Sequence, residues 1–222
     1  MPSLTLLPAA LDMPSLHFEP RYYRPHGIGD WAGHVPFAYD LVTAVRPSVI
    51  VELGTHYGQS YFTFCQAVSE GSLPSRTFAV DTWCGDSHVG TYGEEVFREV
   101  SEHNQQHYQH FSTLLRMSFD QALEQFQDAS IDILHIDGLH TYDAVRHDFE
   151  TWRPKVKPGG IILIHDIEMR HQDFGVWRLW EELSERYDAL AFPHSCGLGV
   201  LRVPGADAPD GGCFALAAMT GP

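Results

Sequence analysis

Two pairs of acidic and histidine residues follow apolar runs in the second half of the chain. Asp137 ends the run ILHI and precedes His140 by three residues, whereas His165 and Asp166 directly follow the run IILI. Parallel strands end at the same edge of a sheet, so we expect these four side chains to lie close together there. Carboxylates and imidazoles at one site can bind a divalent metal or remove a proton from a hydroxyl group.

The sequence alone leaves three interpretations of these residues open. In the first, Asp137, His165 and Asp166 hold a divalent metal, for which oxygen ligands favour Mg²⁺ and the histidine favours a transition metal. In the second, His140 is a general base that a nearby carboxylate orients, with or without a metal. In the third, His140 caps the helix that begins near Thr141, and His165 is a buried structural histidine.

A glycine-containing turn, ELGTHYGQS, follows an apolar run earlier in the chain. Gly54 allows a tight turn with close approach of a ligand, and Gly58 lets a helix begin against the sheet. His56 stands where a pyrophosphate-binding G-x-G-x-x-G motif has its second glycine, which argues against a dinucleotide or nucleotide-sugar site.

Two acidic residues are associated with this turn, one before it and one later in the chain. Glu52 directly precedes it, and Asp81 ends the next apolar run, RTFAVD. A carboxylate before the turn disfavours a phosphate and suits a cationic ligand, while Asp81 can accept both hydroxyl groups of a ribose. The alternative is that both acids only cap turns. His135, inside a predicted strand, is expected to pack in the core.

Short apolar runs alternate with helical patterns along the chain. The predicted strands are 48–54, 76–83, 111–118, 132–137, 160–166, 188–194 and 197–203, and the predicted helices are 35–47, 58–71, 119–126, 141–152 and 174–187. This alternation predicts a doubly wound α/β fold with a mostly parallel seven-stranded sheet. The last two runs predict a closing antiparallel hairpin, and KPGG (157–160) predicts a turn.

The chain is predicted to form one domain, 35–203, with two extensions. Residues 1–34 are rich in proline, glycine and aromatic residues and predict an arm or lid, while 204–222 predict a loose tail. Residues 84–110 are predicted as a lid insertion over the site, with a helix in its later part, rather than a core element. Aromatic and short polar side chains in the arm and the insertion suit a sugar or another polyhydroxyl substrate.

The composition excludes several kinds of partner. The 222 residues include 29 acidic residues and 14 lysines and arginines, which gives a net charge of −15. Such a surface disfavours binding to nucleic acid or to anionic membranes. No apolar segment reaches about 20 residues and the first residues lack a basic region, so we expect neither a membrane span nor a signal peptide. The four cysteines are widely spaced, so we expect free thiols and a cytoplasmic protein.

Four segments in a fixed order, VIVELGTHYGQS, AVDTWCGD, IDILHIDGLHTY and PGGIILIHDI, resemble the class I S-adenosylmethionine (SAM)-dependent methyltransferases over about residues 35–203. The subgroup that the chain resembles is a set of small bacterial enzymes related to macrolide-sugar O-methyltransferases and often associated with glycosyltransferases. The resemblance implies a Rossmann-like sheet with an antiparallel last strand and O-methylation of a sugar or glycoconjugate hydroxyl. Methylation of another small molecule on N or O, or a non-catalytic cofactor-binding partner of a glycosyltransferase, are the alternatives.

The same resemblance implies which residues form the site. The glycine turn would hold the methionine moiety, Asp81 the ribose, the end of the third strand the adenine, and Asp137 the sulfonium. The implied cofactor-binding residues are Glu52, Gly54, Thr55, Gly58, Ser60, Asp81, Met117, Ser118, Phe119 and Asp137, the implied catalytic residues are His140 and Asp137, and the implied metal ligands are Asp137, His165 and Asp166. The relatives have an acid at the position of His165, so metal dependence stays open. A small-molecule or glycan acceptor is the expected partner, with a homodimer as a further expectation.

Overall fold

The computed structural model describes residues 29–171 and 173–205, so most of the predicted arm and tail lie outside the described residues. The strands are β1 (Val49–Leu53), β2 (Arg76–Asp81), β3 (Gly85–Asp86), β4 (Gly90–Thr91), β5 (Ser112–Arg116), β6 (Ile131–Ile136), β7 (Val156–His165), β8 (Asp188–Phe192) and β9 (Leu198–Arg202). The helices are α1 (Val35–Val45), α2 (Gln59–Glu70), α3 (Glu94–His107), α4 (Phe119–Leu123), α5 (Tyr142–Trp152) and α6 (Val176–Ser184).

Seven strands form one sheet in the order β5-β2-β1-β6-β7-β9-β8. Strands β5, β2, β1, β6 and β7 are parallel to one another, and β9 is antiparallel to both β7 and β8. The predicted fold class is therefore confirmed. The chain runs outwards from β1 through β2 to β5 and then returns to β6, so the sheet has its topological switch point between β1 and β6. Ligands bind beside such a point in open α/β sheets.

Both faces of the sheet are covered, which explains why the central strands carry apolar residues on both faces. Successive residues point to opposite faces. Leu134 packs in a cluster with Phe149 of α5, whereas Ile133 packs in another cluster with Phe64 of α2. Within the described part of the chain, no helix combines the length and the apolar character needed to cross a bilayer.

Two segments differ from the sequence-based expectations. The predicted turn at 157–160 lies inside β7, whose pairing with β6 shifts register between Ile131 and Ile133. The segment 84–110 divides into a β3-β4 hairpin and helix α3. Val96 and Val100 of α3 are buried in a cluster with Trp83, so this helix is a core element. Only the β3-β4 hairpin therefore remains a candidate for the predicted lid.

Candidate active site

A cavity of about 620 Å³ lies at the carboxyl ends of β1, β2, β6 and β7, beside the switch point. This volume is in the range of small-molecule and cofactor sites. Of the residues predicted for the site, those that line the cavity are Gly54, Thr55, Gly58, Ser60, Asp81, Ser118, Phe119, Asp137, His140, His165 and Asp166. Glu52 and Met117 do not line it. Glu52 is fully buried, and the Met117 sulfur accepts a hydrogen bond from Gln125.

The glycine turn is shaped by its contact with the end of β6. Gly54 has φ +86°, and an added Cβ atom would overlap the carbonyl oxygen of Asp137. Gly58 has φ +79° and is the N-cap of α2. Both backbone conformations favour glycine, so the turn can approach both the neighbouring strand and a ligand closely.

Asp81 holds this turn in place with both carboxylate oxygens. Its Oδ2 atom accepts hydrogen bonds from the backbone N–H groups of Thr55 and His56 at 2.9 and 2.8 Å, and its Oδ1 atom accepts one from Trp83 at 2.7 Å. Burial raises the pKa of Asp81, although these hydrogen bonds oppose the shift. The turn-capping role is thus established. A carboxylate has about four lone-pair sites, so acceptance of ribose hydroxyls stays a compatible prediction.

Two buried oxygen atoms near the turn indicate whether a polar ligand would fit beside it. The Thr55 Oγ1 and Glu52 Oε1 atoms have no hydrogen-bond partner among the described residues. Buried polar groups are nearly always paired, and Thr55 lines the cavity. A ligand with amine or hydroxyl groups would satisfy the threonine oxygen, so the turn fits the predicted cofactor.

A buried hydrogen-bonded chain connects β1 and β6 with the N-terminal segment. The His135 Nδ1 atom lies 2.8 Å from Glu52 Oε2, and the indole N–H of Trp31 donates to His135 Nε2 at 3.2 Å. His135 therefore carries its hydrogen on Nδ1 and donates it to Glu52. The sequence predicts only packing for His135. Its contact with Glu52 follows from the pairing of these residues across β1 and β6, which can be predicted only when the strand order is known.

The acid and histidine residues from the ends of β6 and β7 meet, as predicted. The His140 Nε2 atom lies 2.9 Å from Asp166 Oδ2 and 3.9 Å from Asp137 Oδ1. The His165 Nδ1 atom lies 3.3 Å from Asp137 Oδ1 and 3.4 Å from Asp166 Oδ2, while its Nε2 atom donates to the Ser195 carbonyl oxygen. Asp166 has φ +63°, a strained conformation for a non-glycine residue and one that is common at functional sites.

Charge pairing dominates the electrostatics of this cluster. Burial opposes a charged imidazole, but the hydrogen bonds that Asp137 and Asp166 accept from it raise the pKa of His140 to about 9. The same carboxylates raise the pKa of His165 well above its usual value. Burial also opposes ionisation of the carboxyls, but the imidazoles hold the pKa of Asp137 and of Asp166 below the usual range. Both carboxylates are therefore ionised at neutral pH.

The helix-cap interpretation of His140 is wrong. The N-cap of α5 is Thr141, whose hydroxyl accepts a hydrogen bond from the Ala144 backbone N–H. The imidazole of His140 therefore does not cap α5 and lines the cavity.

A metal site also fits the cluster, with one change from the predicted ligands. One ligand atom each from Asp137, His140 and Asp166 lies within 4.8 Å of the others. This group contains His140, whereas His165, whose Nδ1 atom lies 3.3 and 3.4 Å from the two carboxylates, stays a predicted ligand. One nitrogen and two oxygens favour a divalent transition metal over Mg²⁺.

A buried carboxyl, Asp148 of α5, lies behind the cavity wall. Its Oδ2 atom would be 3.4 Å from a Cβ atom built on Gly138, which lines the cavity beside Phe119. Burial raises the pKa of Asp148 to about 7. The folded state thus binds a proton here that the unfolded state, with a pKa near 3.9, releases.

We expect Asp148→Asn to remove part of the pH dependence of folding stability. Above about pH 7 the wild type must bury a charged carboxylate, and this cost disappears as the pH falls towards about 4. At about pH 8 the variant should be more stable by roughly 1–3 kcal/mol, and at about pH 5 the difference should shrink. Urea unfolding at both pH values measures this. Glu124→Gln, at an exposed position, is the control, and an equal pH dependence in Asp148→Asn and wild type would contradict the prediction.

The fold has well-covered structural relatives. An O-methyltransferase from Bacillus cereus, solved in complex with S-adenosylhomocysteine (SAH), has a TM-score of 0.60 and 16% identity, with 81% of this chain and 84% of that chain covered. The O-methyltransferase TomG from Streptomyces achromogenes, solved in complex with SAM, has a TM-score of 0.58 and 17% identity, with coverage of 78% and 81%. At these identities the likenesses establish the fold, which is that of the class I SAM-dependent methyltransferases.

The family follows from the sequence comparison. The family described as "Methyltransferase domain" matches residues 51–167, just over half of the chain, and these residues include the glycine turn and the acid–histidine cluster. The chain belongs to this methyltransferase family. A curated relative, uncharacterized protein y4gI of Sinorhizobium fredii, is 52% identical over 183 residues. This match covers 82% of the chain and 20% of the relative, so the chain spans about a fifth of the relative's length.

Proposed function

We propose that the chain transfers the methyl group of SAM to a hydroxyl group of a sugar or glycoconjugate. Family membership supports SAM-dependent methyl transfer, and the structural relatives named above are O-methyltransferases solved with SAM or SAH. The observation that carries O-methylation is the position of His140, whose Nε2 atom lies 2.9 Å from Asp166 at the cavity. A protonated hydroxyl is a weak nucleophile and needs such a base, or a metal.

The cavity offers a suitable partner for each part of the cofactor. Thr55 and Ser60 can bind the amino acid moiety, Asp81 the ribose hydroxyls, and Phe119 the adenine ring. The carboxylate of Asp137 balances the positive charge of the sulfonium. When bound, SAM supplies the electrophilic methyl group for an in-line displacement, in which the protein's main contribution is to position the reactants.

His140 would accept the proton that the hydroxyl group loses. Its Nε2 atom must first lose to solvent the hydrogen that it donates to Asp166, and the acceptor hydroxyl then replaces Asp166 as its partner. A positive charge nearby lowers the pKa of an imidazole, so His140 would be a more available base while the cationic cofactor is bound. After the transfer, Asp137 and Asp166 would stabilise the charged imidazole.

The acceptor side of the cavity supports a polyhydroxyl substrate. Asp30 and Asp86 supply carboxylates, and Trp31 and Phe174 supply aromatic rings. Carboxylates accept hydrogen bonds from hydroxyl groups, while aromatic rings pack against the C–H faces of a sugar. These residue types are also those that sequence analysis assigned to the substrate.

Two measurements test the proposed function. Calorimetry should show SAH binding, and methyl-labelled SAM should label a hydroxyl of a mono- or oligosaccharide, located by mass spectrometry. Absence of SAH binding would overturn the cofactor assignment. Transfer only to amines would keep the methyltransferase and overturn O-methylation.

A divalent metal would use the same histidine in another way. Asp137, His140 and Asp166 would hold it, and it would polarise the acceptor hydroxyl oxygen. Because a metal would occupy the Nε2 lone pair, His140 could not then serve as the base.

The proposed base role therefore implies that turnover does not depend on a metal. We expect treatment with EDTA to change turnover by less than about twofold. Mg²⁺ and Mn²⁺ are then added back separately. A loss that Mn²⁺ restores better than Mg²⁺ would assign His140 to a metal instead.

A further inference from the structure

The β3-β4 hairpin places a second histidine against His140. The His88 Nδ1 atom lies 3.2 Å from the His140 Nδ1 atom, and the His88 Nε2 atom lies 2.8 Å from Asp173 Oδ1. The side chain of His88 is 4% exposed, whereas that of Asp173 is 69% exposed. With the contact between His140 and Asp166, four side chains form a continuous chain from the surface to the buried carboxylates.

Phe174 supports both imidazoles. The ring centroids of His88 and His140 lie 4.5 and 4.7 Å from that of Phe174, with interplanar angles of 12° and 2°. The two imidazole centroids are 5.4 Å apart. Rings on opposite faces of Phe174 would be separated by roughly the sum of the first two distances, so both lie side by side on one face.

The hydrogen bonds define the orientation of both rings. The carboxylates at the two ends can only accept, so each imidazole carries a hydrogen on Nε2. The two Nδ1 atoms face one another, so their hydrogen bond requires a second hydrogen on one of the two imidazoles, which then donates from Nδ1. A flip of the His140 ring would place carbon atoms against both His88 and Asp166, and would therefore break both contacts.

We propose that His88 is a positioning residue for His140 and is held in turn by Asp173. This inference rests on the proposed function, in which His140 is the base. The hairpin turn itself has a separate support, because Asp86 Oδ1 accepts hydrogen bonds from the backbone N–H groups of His88 and Val89 at 2.7 and 3.0 Å. The imidazole of His88 is thus not needed to hold the turn.

Two substitutions of His88 separate its two contacts. The amide nitrogen of asparagine and the Nδ1 atom of histidine are each three bonds from Cα. His88→Asn can therefore keep the contact with His140, but it loses the contact with Asp173. The glutamine amide corresponds to Nε2, so His88→Gln keeps Asp173 and loses His140. The same pair of changes at His110, which is exposed outside the cavity, provides matched controls.

The expected result is a difference between the two variants. His88→Gln should lower kcat by roughly 10- to 100-fold with the KM for SAM changed by less than about twofold, because a misplaced base slows only the chemical step. His88→Asn should retain kcat within about threefold of wild type. The His110 variants should match wild type.

Nitrogen NMR of the histidine rings gives a readout that needs no acceptor. The His140 Nδ1 signal should shift in His88→Gln and stay close to wild type in His88→Asn. Equal kcat values for the two variants, or an unshifted His140 signal in His88→Gln, would overturn the positioning role. If wild-type protein transfers no methyl group, the proposed function fails, and the NMR comparison still decides whether His88 fixes His140.

Discussion

Replacement of His140 by alanine should lower the rate of methyl transfer by about 10²- to 10⁴-fold, the usual contribution of a general base. Affinity for SAH should stay within about threefold, because the glycine turn and Asp81 are unchanged. Labelled SAM measures the transfer, and calorimetry measures SAH binding. His147→Ala, at an exposed position of the following helix α5, is the control.

A second variant separates the base from the packing of its ring. The amide of His140→Asn can reach the position of Nδ1 and keep the contact with His88, but nothing replaces Nε2 beside Asp166. This variant should lose as much activity as His140→Ala. Near-normal turnover in either variant would show that another group removes the proton.

Substitution of Gly54 by alanine should destabilise the protein and abolish cofactor binding. An added Cβ atom meets the carbonyl oxygen of Asp137, which is backbone and cannot move aside without disturbing β6. A residue other than glycine at positive φ costs about 1–3 kcal/mol, and overpacking adds about 1–3 kcal/mol. We expect urea unfolding to show a loss of roughly 3 kcal/mol, and SAH affinity to fall at least about 100-fold.

Gly159→Ala is the matched control for this substitution. Gly159 has φ +79°, close to the +86° of Gly54, but nothing lies within 4 Å of a Cβ atom added there. Its loss of stability should reflect backbone conformation alone and leave SAH binding unchanged. If both variants lose equal stability and both bind SAH normally, close approach of the turn to β6 is not required.

The fold could be predicted because each central strand is a short apolar run with a clear boundary. Alternation of these runs with helical patterns requires a parallel sheet, and the structure confirms its seven strands. The predicted turn at 157–160 was wrong for a tertiary reason. There, β7 continues through two glycines beside a register shift in its pairing with β6, and no local pattern encodes that pairing.

Only those site residues that lie at or just after strand ends could be predicted from the sequence. The four acid and histidine residues at the ends of β6 and β7 meet because parallel strands end together. His88 and Phe174 come from segments between the main strands, whose path no periodicity specifies. The presence of His140 in the candidate metal group depends on side-chain positions, which the strand order alone does not specify.

The contact between Trp31 and His135 changes where the functional unit begins. The helical pattern starts at Val35, yet the Trp31 indole is 4% exposed and covers the buried pair of His135 and Glu52. An expression fragment cut at residue 35 would open this pair to water and remove one wall of the cavity. A minimal fragment for crystallisation or transplantation into another protein must therefore retain the segment from Gly29 onwards.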